Sequence, residues 1–558
     1  VSGTADPQVA DQVLRYISNA RWFAGKGRRV QFRSLTPLPW LTEVSDFFRP
    51  AAAPGVRFEI AELTYPPEED PEPLVAKASQ PAEDLEPTQE SAAGEPPEMV
   101  EPSVTPPTEY YHLAISYRPA PHAELHQAEI ARFTDPDLGP VIAYDAAQDP
   151  DACRVILSAL RGGRRLRSPD SEARFNPTAT AAFSADLQPR LFTGQQSNTS
   201  VMLGETAILK LFRRLELGHN LDIEVHAALN AAGIPDVAGL FGWIEGSWVS
   251  RGLQLDADLA MVIEKLAGAV DGWELALDSL RAENASTTIN SECAFAAEAE
   301  ALGKALAEIH HALRSSFDTT RVLGARTAMI MIDRLHEAAR IAPALAPHVT
   351  GLLRCFDELG AQTLDTQRVH GDFHLGQTLH TPSGWKIIDF EGEPAKTMAE
   401  RRAPDSVWRD VAGMLRSFDY AAASIPGPRS AAWAFACRAA FLRGYTVADL
   451  GATEASLLRA YEADKAIYEV VYEMRNRPDW INIPLRAAAE LASGNHDSRG
   501  SGSSPTFADI TQGPNDPGEL ASPLNEPGKL ASPLNESGEL VSPPQESGEL
   551  ASPTREQE

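Results

Sequence analysis

The chain has 558 residues, 43% hydrophobic and 23% charged, and its 49 basic against 78 acidic side chains leave a net charge of −29. That balance excludes a general nucleic-acid binder, which needs basic surface to displace counterions, and argues against docking on anionic membranes. The length points to roughly two to four folding units. The 4 cysteines lie far apart with no CxxC pair, which argues against a disulfide framework or a thiolate zinc site and makes a reducing cytoplasm the expected compartment.

Residues 1 to about 65 carry Trp22, Phe23 and Trp40, and Val56 to Leu63 alternates as a strand does. From Pro66 to Thr108 the composition turns to Pro, Glu, Ala and Ser. Such a stretch has too little apolar surface to offset its ordering entropy and reads as a disordered insertion. Tyr110 to Tyr117 is the strand expected to pair across it. Residues 120 to 190 read as mixed helix and loop. Val201 to Phe212 predicts a hairpin about Gly204-Glu-Thr206, Leu221 to Ala232 a helix, and Leu259 to Leu266 a short strand. Helical spacing then recurs over Glu298–Leu313, Thr327–Ala339, Trp408–Ala423, Ser430–Tyr445 and Tyr461–Arg475. Order is expected to end after about Ser493. From residue 517 a decapeptide repeats, as in Ala531-Ser-Pro-Leu-Asn-Glu-Ser-Gly-Glu-Leu540; it matches no solenoid period and reads as a disordered tail.

The strongest chemical signal is Val369-His-Gly-Asp-Phe-His-Leu-Gly-Gln377 followed by Lys386-Ile-Ile-Asp-Phe-Glu391. The order is that of a kinase core, His-x-Asp-x-x-x-x-Asn and then Asp-Phe-Gly, with Gln377 in the Asn place and Glu391 in the Gly place. A carboxylate must orient a substrate hydroxyl and take its proton, so Asp372 is the candidate base. The moving phosphoryl group spreads negative charge that Mg²⁺ neutralises, and Mg²⁺ prefers hard oxygen ligands, so Asp389 and Gln377 are its candidate ligands. A zinc site on His370 and His374 competes weakly, because Gly371 and Gly376 interrupt the helix such a site needs.

Upstream, Lys210 ends the second hairpin strand between apolar neighbours, where a phosphate-binding lysine belongs, and Glu224 on the next helix is its expected partner. The alternative is a solvated edge lysine. Gly194-Gln-Gln-Ser-Asn-Thr-Ser200 offers Ser197, Asn198, Thr199 and Ser200 to phosphates, or is a plain turn. Glu264 marks the linker where backbone groups would read adenine, and Asp410 is expected to brace the 369–377 loop. Tyr461, Lys465, Tyr468, Tyr472 and Arg475 step by 4, 3, 4 and 3 along one helix face. That face suits sugar rings, although aromatic stripes also pack cores. The lack of Ala-Pro-Glu and of a glycine-rich loop disfavours a protein kinase, and the lack of G-x-x-x-x-G-K-S/T excludes a P-loop enzyme.

Together with Arg21-Trp-Phe-Ala-Gly-Lys-Gly-Arg28, Ile388-Asp-Phe-Glu-Gly-Glu-Pro394, Arg409-Asp-Val-Ala-Gly-Met-Leu-Arg-Ser-Phe-Asp-Tyr420 and Tyr468-Glu-Val-Val-Tyr-Glu-Met-Arg-Asn-Arg-Pro478, these motifs resemble the actinobacterial maltokinases, in pieces from about residue 10 to 490. The resemblance implies an α+β, bilobal, protein-kinase-like (aminoglycoside-phosphotransferase-like) fold. Its expected parts are an N-terminal cap over 1–120 containing the 66–108 insertion, an intermediate region and nucleotide-binding N-lobe over 121–263, a helical C-lobe over 264–494, and the 495–558 tail. It also implies transfer of the ATP γ-phosphate to the anomeric hydroxyl of maltose with Mg²⁺, for glycogen synthesis, and trehalose synthase as a possible partner. Asp372 would be the base, Gln377 and Asp389 would hold Mg²⁺, and His370, Lys465 and Tyr472 would meet the sugar. Ile263-Glu-Lys265 departs from the Gln-Glu-aromatic expected at the hinge. The nearest alternative is a glucosamine or other aminoglycoside-like small-molecule kinase; another is a non-catalytic scaffold for trehalose synthase.

Overall fold

Val56, Phe58 and Ile60 alternate along a strand whose other face also meets protein, so Gly55–Thr64 is buried over nearly its whole length. In the computed structural model it pairs antiparallel with Thr108–Arg118, with Val56 opposite Ser116 and Leu63 opposite Glu109. This is the pairing the sequence predicts. The structure describes residues 6–48, 53–66, 108–179, 188–192, 198–286, 293–393, 396–446 and 449–494. The expected insertion, apart from its ends, and the expected tail both lie outside these residues.

The first sheet runs Gln31–Pro37, Gly55–Thr64, Thr108–Arg118, Gly139–Asp145, Glu129–Asp135. It therefore continues past residue 120 to Asp145, through strands where the sequence suggested helix and loop. The helix Pro7–Asn19, capped by Asp6 and started by proline, lays Val9, Val13 and Ile17 against this sheet beside Phe23 and Tyr111.

The second sheet has seven antiparallel strands in the order Arg165–Arg167, Ser171–Pro177, Leu240–Ser250, Leu253–Glu264, Ala207–Leu211, Thr199–Leu203, Pro189–Leu191. Leu240–Ser250 alternates buried and half-buried residues along its length, the signature of a strand with one face in the core. Pro150–Arg161 packs its apolar residues into the same core, which also takes Ile223 of Leu221–Ala231, while Leu221, Val225 and Leu229 of that helix turn to the core of the later helices. The chain leaving Lys210 crosses between the sheets: Arg214 and Leu215 pair with Tyr111 and Tyr110 of the first sheet. Buried Arg213 donates from Nη2 to Asp145 Oδ2 (2.6 Å).

The remainder is mostly helical. Ala296–Ser316, Gly324–Ile341, Val349–Gly360, Trp408–Ser424, Ser430–Tyr445, Ala452–Asn476 and Asn482–Ser493 surround one large apolar core. All six helices read from the sequence, Leu221–Ala231 included, are present, most of them longer than their apolar spacing suggested. Ala296–Ser316 and Ser430–Tyr445 touch backbone to backbone. A Cβ at Gly303 would stand 2.2 Å from Phe441 O, and one at Gly444 would stand 1.9 Å from Glu300 O. The short hairpin Thr378–Thr381 and Gly384–Ile387 places residues 369–377 and 388–391 side by side, facing the second sheet. Among the described residues no helix is long and apolar enough to cross a membrane.

Candidate functional site

The 369–377 loop hangs by its backbone from the Trp408–Ser424 helix. Asp410, fully buried, accepts from His370 N–H (2.7 Å) and Gly371 N–H (2.8 Å). Gly371 has φ +87°, a left-handed turn that a side chain would strain. Ser417 Oγ accepts from Leu375 N–H (3.1 Å) further along. Asp410 is itself held, since His310 Nε2 lies 3.0 Å from its Oδ2 and His310 Nδ1 lies 2.8 Å from Tyr445 Oη. Burial pushes the Asp410 carboxyl up, but the His310 bond, His370 and the Gly371 N–H outweigh it and leave it below the usual range. Asp410 thus does what the sequence suggested, bracing the loop.

The structure corrects the expectation that His370 meets a sugar. Its ring is buried, Nε2 lies 3.0 Å from Ile388 O, and Nδ1 accepts from Asp372 N–H (3.4 Å). The ring also sits 4.9 Å from that of Phe390. With both nitrogens on backbone, His370 ties the 369–377 loop to the 388–391 segment instead of facing a ligand.

Asp372 does reach the helix bearing the tyrosines, where Lys465 Nζ donates to its Oδ1 (3.3 Å). Burial raises the Asp372 carboxyl, yet Lys465, His374 and His370 outweigh that and hold it below the usual carboxylate range. Burial lowers His374 to about 4, so that ring is neutral near pH 7. An ionised carboxylate can accept a proton from a hydroxyl placed against it.

Lys210 is inward and paired, but not with Glu224. Its Nζ donates to Glu391 Oε1 (2.7 Å) and Asp222 Oδ2 (3.2 Å). Burial alone would lower this ammonium; Glu391, Asp222 and Asp389 hold it well above its ordinary value. Glu224 instead takes Arg402 Nη1 (2.8 Å), with Arg368 Nη2 at 3.6 Å. The reason is helical geometry: two residues turn about 200°, so Asp222 and Glu224 face opposite sides. Asp222 and Glu391 are the residues that the sequence reading missed. Their signals were an acidic first turn capped by Asn220 and a second carboxylate in Asp-Phe-Glu.

Asp389 sits at φ +68°, a backbone conformation rare outside glycine. It accepts from Gln377 Nε2 (3.2 Å). Burial first, then Glu391, raises its carboxyl to about 7. One oxygen each from Asp222, Asp389 and Glu391 lies within 4.8 Å of the others. Three carboxylates crowded against a single ammonium suit a hard divalent cation, so the residues present fit Mg²⁺.

The proposed phosphate loop divides by strand periodicity. Ser200 is opposite Lys210 in the hairpin register and shares its face. Thr199 points the other way, its Oγ1 accepting from Arg213 Nε (2.8 Å), and Asn198 Oδ1 accepts from Arg213 N–H (3.4 Å). Both line a cavity of about 550 Å³ at the seam between the two sheets, with Tyr16 and Trp22, and not the Lys210 side. Ser197 lies outside the described residues. The Glu264 carboxylate accepts from Gly239 N–H (3.0 Å) and closes a strand end.

On the Ala452–Asn476 helix, Tyr468 and Tyr472 stack with ring centroids 6.3 Å apart, and Lys465 Nζ lies 5.4 Å from the Tyr468 centroid. Tyr461 belongs to the core and donates to Asp405 Oδ1 (3.0 Å). Arg475 is exposed at the helix end, while Arg477 covers Tyr472 and Trp480. Three neighbouring glutamates are engaged by other side chains: Glu462 with Arg438 (2.6 Å), Glu469 with Arg416 (2.8 Å), Glu473 with Arg477 (2.6 Å) and Tyr420 (3.0 Å).

Residues 190–392 match the family model of the phosphotransferase enzyme family, and residues 16–149 match the maltokinase N-terminal cap domain. A glucosamine kinase of Streptacidiphilus jiangxiensis is 29% identical over 408 residues, covering 64% of this chain and 90% of its own length. One of Mycolicibacterium smegmatis is 27% identical over 331 residues, covering 54% and 79%. In fold the chain is similar to a glucosamine kinase solved with glucosamine, ADP and inorganic phosphate, with a TM-score of 0.56 and 18% identity over 88% of this chain and 100% of that one.

Proposed function

We propose that this chain, a kinase of the phosphotransferase enzyme family carrying a maltokinase-type cap, transfers the γ-phosphate of ATP to the anomeric hydroxyl of maltose. The observation that carries the reading is the acceptor face: a Lys465–Asp372 pair beside the stacked Tyr468 and Tyr472, with Glu462, Glu469 and Glu473 already neutralised. Stacked rings and mixed hydrogen-bonding groups suit a neutral disaccharide, whereas an amino sugar calls for an unengaged carboxylate near its ammonium. The cap-domain match supports the same reading.

In this reading Asp372 accepts the acceptor hydroxyl's proton at a carboxylate oxygen, and Lys465 keeps that carboxylate ionised and aimed. Lys210 turns from Glu391 and Asp222 toward the nucleotide phosphates. Gln377 and Asp389, joined by Glu391 and Asp222, are the residues that would hold Mg²⁺, which supplies charge neutralisation to the phosphates. Glycogen supply, trehalose synthase as partner and a cytoplasmic location belong to the same reading.

Glucosamine is the second reading, favoured by the two glucosamine kinase relatives at 27–29% identity. Incubating the chain with ATP, Mg²⁺ and a sugar panel and reading products by phosphorus NMR separates the two. Maltose is expected to show at least about tenfold higher kcat/KM than glucosamine, a difference of about 1.4 kcal/mol in transition-state binding. Equal or better turnover of glucosamine overturns the maltose assignment and leaves the kinase standing. Tyr472→Ala is expected to raise the KM for maltose more than that for ATP.

A further inference from the structure

Cys293 and Cys437 are 144 residues apart in sequence, with no CxxC spacing to pair them. In the fold their Sγ atoms lie 3.7 Å apart. Packing explains the meeting. Cys437 is on the buried face of Ser430–Tyr445, one turn from Trp433 and from Phe441. Cys293 comes two residues before Phe295, whose buried ring lies 5.7 Å from that of Trp433 and 6.4 Å from that of Phe418. Phe295 therefore pins Cys293 against the helix that carries Cys437. The backbone contact of that helix with Ala296–Ser316 at Gly303 and Gly444 fixes the two carriers as one body.

The two thiols are unequal. Cys293 is half-buried and reachable from solvent, while Cys437 is buried. The hydrogen bond shared with Cys437 lowers the Cys293 thiol, and burial pushes that of Cys437 up. Cys293 is thus the nucleophile of the pair, because the thiolate is the reactive form. The remaining cysteines make an internal contrast. Cys153 and Cys355 are buried, and each donates its S–H to backbone carbonyls, Cys153 to Ala146 O (3.2 Å) and Cys355 to Gly351 O and Leu491 O (3.7 Å each).

We propose that Cys293 and Cys437 form a redox-modification site, a dithiol that a hydroperoxide or a low-molecular-weight disulfide converts to an intramolecular disulfide. With hydrogen peroxide, the Cys293 thiolate attacks one peroxide oxygen, the O–O bond breaks and hydroxide leaves, taking up the proton the thiol had released, so that Cys293 becomes a sulfenic acid and one water forms. The Cys437 thiol then attacks that sulfur, the S–OH bond breaks, and a second water leaves. Two thiols are oxidised and one peroxide is reduced to two waters. With a small disulfide, two exchange steps release two small thiols. On bond formation the sulfurs close from 3.7 Å to about 2.0 Å. The bond joins the segment leading into Ala296–Ser316 to the middle of Ser430–Tyr445 and closes a long loop, which restricts the unfolded chain. Neither cysteine belongs to the Asp372–Lys465 pair or to the Asp222, Asp389 and Glu391 cluster, so the staple acts on stability and leaves chemistry in place.

The test uses the full chain, reduced, then treated with hydrogen peroxide, alkylated and digested without reductant. The expected result is a peptide pair linked through Cys293 and Cys437, titratable thiols falling from four to two, and a melting temperature several degrees higher, all reversed by dithiothreitol. Turnover per folded molecule is expected to stay the same. Cys293→Ser, which changes only a half-buried position, should give neither linked peptide nor shift under peroxide, and Cys437→Ala should agree. Cys437 fully alkylated while Cys293 carries a sulfinic acid overturns the proposal, as does an equal rise in melting temperature in Cys293→Ser. A linked peptide without a change in melting temperature overturns the stapling role. None of these readouts depends on which sugar is phosphorylated.

Discussion

Asp372 is under two opposed demands, since burial favours its neutral acid while a proton acceptor must be ionised. Lys465, 3.3 Å away, decides the matter in favour of the carboxylate. Asp372→Asn is expected to lower kcat by roughly 10²–10⁴-fold, the range for a lost general base, with little change in ATP affinity. Turnover within a few-fold of the parent removes Asp372 from that role. Lys465→Met takes away the first opponent of burial, so the Asp372 carboxyl should rise. The acid limb of the kcat/KM profile should then move toward neutral pH, whereas an unmoved limb would show that another group titrates there. The stability sign follows from the same depression. The pair stabilises the fold above the ordinary carboxylate range, and the contribution is lost as pH falls through the depressed value.

At the scale of an element, the first turn of Leu221–Ala231 shows how one helix sends its carboxylates to two places. Asn220 caps it, Asp222 faces Lys210, and Glu224, about 200° on, holds Arg402. Asp222→Asn should raise the KM for ATP by about tenfold or more, since a hydrogen bond to a charged group contributes about 1.5–3 kcal/mol. Glu224→Gln should leave it nearly unchanged. The reverse order, measured by calorimetric ATP titration, would restore Glu224 as the lysine's partner. The Ala452–Asn476 helix makes a similar division. Its 4, 3, 4, 3 spacing was readable and does line up Lys465, Tyr468 and Tyr472, but the neighbouring helices decide where the stripe becomes core. Tyr461 falls on the buried stretch and bonds Asp405, and Arg475 falls beyond it.

At the scale of the molecule, two small apolar clusters and three large cores account for the described fold, the large ones lying under the first sheet, under the second and among the helices. The last is closed by Ala488, Leu491 and Ala492, and Gly494 at φ +71° ends that helix. A chain ending at Gly494 is therefore expected to melt and turn over with the full chain. A drop of several degrees, or lost activity, would show that later residues contribute to these cores.

What the sequence determined by itself was local. The hairpin around Lys210, the strand pair Val56–Leu63 with Tyr110–Tyr117, the six helices and the linear order of His370, Asp372, Gln377 and Asp389 all follow from periodicity and spacing over short stretches. The partner of each charged side chain was not local. Lys210 meets Glu391 across 181 residues, Asp372 meets Lys465 across 93, and Cys293 meets Cys437 across 144. Such pairs depend on which helix face turns inward once several elements pack together. One residue of helical advance changes that direction by about 100°, so only the tertiary structure could assign them.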